Sequence, residues 1–447
     1  MRAFMCSELP LATSLAERLL RFVNVKRAAL PIAALILAIS GTAAYAMPQA
    51  PTVVKPEAAG MSSDLAQKVH DAVQKHIDAG DVPGVVTLIS RNGKIVYWDA
   101  QGVNDAKSKM PLQKDTVFWV ASMTKPIVAT SVMMMVEAGK IHLEDPVYKY
   151  IPEFKAPAQV RVLKPGSPEP SPGQGRDPNA PKPEYDLVPA TRPITVTDLL
   201  THTSGIQSIG VQKPGLLAYA EGDTLASAIP TLSTVPLDFQ PGTKWAYSNA
   251  AGFDILARIV EVASGQPFNE FVKSRVFDPL GMKDSSFGPR ADLASRTQFM
   301  DPNQLKNGCI NGKTFFCGSA GLWIPADDYW RFAEMLLNKG AVPHGKRLLK
   351  ASSVEAMSTN HVGSLFPGTN GIPATGMGFG YSVEVVTDQA ASGLALPTGS
   401  FGWNGVGTRQ FWVIPADHMV IVMYVPSGKA PLVHRDIEAA ATSSIAK

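Results

Sequence analysis

Phe118-Trp-Val-Ala-Ser-Met-Thr-Lys-Pro-Ile-Val-Ala-Thr-Ser-Val-Met-Met-Met-Val-Glu-Ala-Gly139 decides how the rest of the chain is read. Asp115 and Thr116 give it a polar entry and Gly139 an exit, while Ile127 to Val136 are apolar on nearly every face. The run therefore reads as a helix buried all round. Ser122 and Lys125 fall in its first turn. Three residues apart on a helix, their side chains share a face, close enough for an amine to take a hydroxyl proton. Pro126 is tolerated there because first-turn N–H groups lack carbonyl partners, and those free donors can face the charge that develops in acyl transfer. A bare Ser-x-x-Lys is common, and the chain repeats it at Ser444-Ile-Ala-Lys447, where no helix follows to bury the lysine. A helix cap beside a solvated lysine would have the same spacing, so other residues must decide.

The 447 residues, 45% of them hydrophobic, are enough for two domains or one composite domain with an ample core. Five of the 41 basic and two of the 38 acidic side chains lie in residues 1–46, leaving 36 of each beyond them. That neutral remainder gives no electrostatic reason to expect a nucleic acid or an anionic membrane surface as partner. Residues 1–46 read as a signal peptide: Lys26-Arg27, the apolar stretch Ala28 to Ile39, then Ala44-Tyr-Ala46 as a small-x-small cleavage site. The mature chain is expected to start near Met47, exported to the periplasm or secreted, with no membrane span. In an oxidising compartment Cys309 and Cys317 are expected to pair, with Asn311-Gly312 between them as the turn of a hairpin.

Along the chain, Asp64 to Ala79 is an amphipathic helix, and Val85–Ser90 and Ile95–Ala100 are strands joined by Arg91-Asn-Gly-Lys94. Residues 155–193 are crowded with prolines and read as an extended surface insertion without a core of its own. Helices are expected at Thr197 onward, at Asn249–Ser264, at Pro267–Val276 and at Pro325–Asn338. Strands follow at Phe379–Val386, Gln410–Ile414 and Met419–Val425, and Ile437–Ala446 closes the chain as a helix. The fold class is α/β (α+β): an antiparallel sheet of five or more strands flanked by helices, with a mainly helical domain inserted into it. The sheet domain is expected at 47–115 and 300–447, and the helical domain at 116–299.

Two further clusters bear on chemistry. Pro241-Gly-Thr-Lys-Trp-Ala-Tyr-Ser-Asn249 puts Tyr247 just before a helix, where it is either a packing residue or a second proton carrier, and Asn249 could hold substrate or the lysine. Gly402-Trp-Asn-Gly-Val-Gly407 precedes a strand, and its glycines permit close approach of a ligand or simply a bend. Ser122-Met-Thr-Lys125, Tyr247-Ser-Asn249 and Trp403-Asn-Gly405, in this order, resemble the serine β-lactamase and penicillin-binding family, particularly class C β-lactamases and their carboxylesterase relatives. Leu199-Leu-Thr-His-Thr-Ser-Gly205 and Phe277-Asp-Pro-Leu-Gly-Met282 look like this family too.

The resemblance implies a β-lactamase/transpeptidase-like fold, Ser122 as acylated nucleophile, and Lys125 with Tyr247 as the general base system. It also implies an oxyanion hole from the N–H groups of Ser122 and Val406, with Asn249, Trp403, Asn404 and Gly405 lining the substrate. The third motif departs from β-lactamases, which have Lys or His followed by Thr; Trp403 looks like the esterase branch. The expectation is an exported serine hydrolase, a carboxylesterase cleaving short-chain acyl esters. A β-lactamase or D-amino-acid peptidase, or a binding protein without turnover, are the alternatives. The partner is then a small-molecule ester or amide, with oligomeric state open. His202 and Asp198 are read as packing residues of a turn, not as members of a triad. No cofactor and no metal are expected, because His, Asp and Glu do not cluster at ligand spacing.

Overall fold

The structure, a computed structural model, describes residues 52–105, 109–168, 183–206, 219, 222–342, 345–369, 373–406 and 408–446. The expected signal peptide, the middle of the proline-rich insertion, Gly407 and Lys447 lie outside the described residues. The principal helices are α1 (Leu65–Asp78), α2 (Thr124–Glu137), α3 (Val196–Leu200), α4 (Ala251–Ser264), α5 (Ala326–Leu337) and α6 (Ala430–Ser443).

One mixed α/β fold is built on a seven-stranded antiparallel sheet. Its strands are β1 (Gly84–Arg91), β2 (Lys94–Gly102), β3 (Met377–Phe379), β4 (Glu384–Val386), β5 (Phe401–Gly405), β6 (Arg409–Ile414) and β7 (Met419–Tyr424). They lie in the order β2-β1-β7-β6-β5-β4-β3. The β1–β2 turn has Asn92 and Gly93 at φ of 54° and 72°, the type I′ geometry whose twist suits the flanking strands. In the middle of the sheet β1 pairs with β7, Leu88 opposite Val422, so the early and late parts of the chain are joined there.

Period and burial agree on each face. α1 turns Leu65, Val69 and Val73 inward, α6 turns Val433, Ile437 and Ala441 inward, and the Trp412 indole donates to Glu438 of α6 at 2.8 Å. On the other face Tyr329 of α5 lies 5.0 Å from Phe411, and Ser90 donates to Glu334 of α5 at 2.6 Å. α2 is buried on every side from Thr124 to Met135, as its unbroken apolar run requires.

Several expectations need correction. The stretch 379–386 is two strands, because Ser382 takes a φ of 73° and sends its N–H to the Leu200 carbonyl at 3.1 Å, out of the ladder. The closing helix begins at Ala430, with Pro431 in its first turn where a missing N–H costs nothing. Trp403 and its neighbours are β5 itself rather than the approach to a strand. The proline-rich insertion has an ordered base: Gln159–Leu163 pairs antiparallel with Tyr185–Pro189, and Val160 is buried in the main core. Cys309 and Cys317 are joined, with Cα atoms 5.1 Å apart, but not through a hairpin. Asn307 caps a short helix, Gly308–Asn311, by accepting from the Cys309 N–H, and Gly312 ends it at a φ of 57°. Among the described residues no helix is long and apolar enough to cross a membrane.

Candidate active site

Ser122 sits in a 3-10 turn, Ala121–Met123, that feeds directly into α2. Ala121 is held there at a φ of 46°, a left-handed conformation that a residue with a Cβ adopts only when its surroundings enforce it. The enforcement is visible at β5. A Cβ on Gly405 would lie 2.2 Å from the Val120 carbonyl oxygen, so the strand backbone is pressed against the turn that carries Ser122. Only glycine permits that approach.

Lys125, on the first turn of α2, is fully buried, and its ammonium has three acceptors. It donates to Ser122 Oγ at 3.1 Å, to the Asn249 carbonyl at 2.8 Å and to the Ser319 carbonyl at 2.9 Å. All three are neutral oxygens. Tyr247 completes the cluster: its hydroxyl donates to Ser122 Oγ at 2.7 Å, and Lys125 Nζ lies 5.0 Å from the centre of its ring. Serine, amine and phenol thus meet at one oxygen, an arrangement able to take a proton from Oγ and return it to a departing group.

Tyr247 is held by rings. His202 packs 4.6 Å from it and Trp403 5.5 Å from it. His202 accepts the Ser248 N–H at Nδ1 (3.2 Å), and burial, then the nearby Lys125 charge, keeps its imidazole well below its ordinary range and neutral. Asp198 is engaged elsewhere: both its oxygens take Arg192 at 2.6 and 2.8 Å, and it closes a capping box with Thr195 at the start of α3. The two residues do not form a triad.

The remaining motif residues lie at the approach to α4 and along or just past β5. Asn249 holds the lysine through its backbone carbonyl, while its side chain is exposed. Trp403 is 2% exposed, a wall behind Tyr247 rather than an open surface, and its indole N–H has no partner among the described residues. Asn404 is buried in β5 opposite Gln410, and strand alternation turns it away from Trp403. Val406, 64% exposed, takes a φ of 53° at the end of β5, a strained conformation for a β-branched residue. Arg409 is committed to Thr408 and Gln298 and lies 5.5 Å from the Phe118 ring.

Ser319 and Asp254 were not legible as site residues. Ser319 contributes a backbone carbonyl, which no side-chain motif announces. Asp254 had one signal, a carboxylate inside the apolar run Phe253-Asp-Ile-Leu-Ala257. Among the described residues no group of three or more His, Cys, Asp or Glu could hold a metal. A cavity of about 190 Å³, lined in part by Tyr148, Phe154 and Arg192, contains none of the clustered residues.

Comparison with known proteins adds to this geometry. A family model described as Beta-lactamase matches residues 69–445. Esterase EstB of Burkholderia gladioli is 28% identical over 396 residues, covering 81% of this chain and 90% of its own. Penicillin-binding protein 4 of Amycolatopsis lactamdurans is 30% identical over 365 residues, covering 80% and 84%. Among solved structures, EstCE1, a hydrolase with promiscuous acyltransferase activity, superimposes with a TM-score of 0.67 at 24% identity, covering 84% of this chain and 98% of its own; the likeness is one of fold.

The contact between β5 and the Ser122 turn can be tested by size alone. Gly405→Ala should lower stability by about 1–3 kcal/mol, the usual range for overpacking against backbone. The measurement is the denaturant midpoint at unchanged slope. An unchanged midpoint would mean that strand and turn are not in contact.

Proposed function

Because the chain belongs to the β-lactamase family of serine hydrolases, we propose that it is an exported carboxylesterase that cleaves short-chain acyl esters through an acyl-enzyme on Ser122. The observation that carries the chemistry is the meeting of Lys125 Nζ and Tyr247 hydroxyl on Ser122 Oγ, at 3.1 and 2.7 Å. The reactive form of the lysine–tyrosine pair carries one proton fewer than the ammonium–phenol form, and Ser122 Oγ attacks the ester carbonyl as its proton passes to the vacated position on that pair. The tetrahedral oxyanion is met by the backbone N–H groups of Ser122 and Val406. Tyr247 passes the proton to the leaving alkoxide, and water repeats the sequence to release the acid. The buried rings of His202 and Trp403 hold the phenol in place throughout.

The choice of ester over β-lactam rests on a missing charge. A β-lactam carries a carboxylate beside the scissile amide, and a cation or hydroxyl facing it gives charge-assisted hydrogen bonds. Here the third motif supplies Trp403, buried behind Tyr247, and Arg409 donates to Thr408 and Gln298 instead. An ester needs no such partner and leaves more readily. The 28% identity to esterase EstB supports this reading, while the 30% identity to a penicillin-binding protein keeps the β-lactam and D-amino-acid peptide arm in the test.

A hydrolysis panel on the purified mature protein separates them. Short-chain acyl esters should be cleaved with kcat/KM at least ~100-fold above any penicillin, a gap of about 2.7 kcal/mol in transition-state stabilisation. Equal rates on penicillins or D-alanyl peptides would replace the esterase reading. Export has its own check: N-terminal sequencing of secreted or periplasmic protein should begin near Met47, and an intact leader would contradict it.

A further inference from the structure

Asp254 is a fully buried carboxylate on the first turn of α4, and none of the acyl-transfer steps makes use of it. One of its oxygens accepts the Ser319 N–H at 2.9 Å and the other accepts the Tyr219 hydroxyl at 2.7 Å. The carbonyl of the same residue, Ser319, accepts from Lys125 Nζ at 2.9 Å. A single residue's backbone therefore joins the carboxylate to the amine.

The rest of the segment is fixed as firmly. A Cβ on Gly318 would fall 2.4 Å from the Phe253 carbonyl oxygen and 2.8 Å from Ala257 Cβ, so residues 317–319 are pressed onto the first two turns of α4. Cys317, bridged to Cys309, places its sulfur 3.3 Å from Ser319 Oγ. The Tyr219 ring stacks on Phe315 at 3.6 Å between centroids. Burial, the largest influence, raises the Asp254 carboxyl above its ordinary range, and its two donor residues, Tyr219 and Ser319, and the positive charge of Lys125 offset that only in part. Neither donor is a cation, and the cation that stabilises it lies across the Ser319 backbone. The Ser319 N–H and C=O belong to adjacent peptide units that share one Cα, so the link is positional: anchoring the N–H on Asp254 fixes where the carbonyl meets Lys125 Nζ.

We propose that Asp254 is a positioning residue for Lys125, acting through the Ser319 backbone to hold Nζ at Ser122 Oγ. The inference rests on Lys125 being part of the general base in the proposed esterase reaction. A carboxylate that merely filled space would leave the chemical step untouched once the protein had folded.

The test uses Asp254→Asn and Tyr219→Phe in the full mature protein. Three quantities are followed: kcat and KM on a short-chain p-nitrophenyl ester, the rate of Ser122 labelling by a fluorophosphonate, and thermal melting. Asp254→Asn should lower kcat and the labelling rate together by about 10- to 100-fold, within the range of a general base's contribution, with KM within about 2-fold. Tyr219→Phe, which keeps the ring and removes one donor, should show a smaller loss of the same kind. A folded Asp254→Asn with unchanged kcat and labelling overturns the proposal, as does a loss confined to KM. Should Asp254→Asn fail to fold, a Tyr219→Phe variant with wild-type kcat and labelling overturns it. A wild type that labels at Ser122 yet cleaves no ester would sink the esterase reading alone, and the slowed labelling of the variants would still decide the role of Asp254.

Discussion

A lysine ammonium buried without a carboxylate in contact is the constraint on which this structure turns. Taking such a charge out of water costs several kcal/mol, and only well-placed hydrogen bonds offset it. Lys125 finds them at a hydroxyl three residues away and at carbonyls 124 and 194 residues further along the chain. The cluster exists only when three distant segments converge, so the fold and the reactive oxygen are specified together. α2 must be buried to hold the lysine dry, α4 must begin beside it to present residues 247–249, and the 317–319 segment must pack on α4 to close the ring of acceptors.

The sheet supplies rigidity to the other side. β5 lies against the Ser122 turn so closely that residue 405 has no room for a Cβ, and Ala121, beside that contact, takes a left-handed conformation. Val406, at the exposed end of that strand, is strained in the same way. Strain at two positions beside one nucleophile persists because the surrounding sheet and helices leave no alternative, and it is what a pre-organised oxyanion site would require. Behind Tyr247, His202 and Trp403 form an aromatic wall, and the phenol donates to Ser122 Oγ.

Much of this was legible in the sequence, for identifiable reasons. Ser122 and Lys125 could be read because helical spacing fixes their relation and the apolar run after them fixes their burial. The β1–β2 hairpin could be read because Asn92-Gly93 has few other uses between two apolar strands. The split of 379–386 could not, because it depends on Ser382 bonding to Leu200, a contact made only in three dimensions. Asn311-Gly312 misled for a local reason: the same pair that turns a hairpin also ends a helix, and Asn307 as a cap decided between them. Asn249 could be read as a partner for substrate or the lysine, but that its backbone carbonyl takes Nζ could not, because a main-chain oxygen carries no side-chain signature. Ser319 was invisible because a backbone oxygen has no residue type, and the buried face of Trp403 emerged only with the rings packed around it.

The central claim is that Ser122 Oγ, activated by Lys125 and Tyr247, carries the acyl group. It is tested most directly by quenching the enzyme during turnover of a slow acyl ester and mapping the adduct by peptide mass spectrometry. The account predicts one acyl group, on the peptide containing Ser122, formed and lost at rates that match turnover. An adduct on Ser204, Ser248 or Ser444, or turnover with no adduct on any serine at a rate where deacylation should limit, would contradict it.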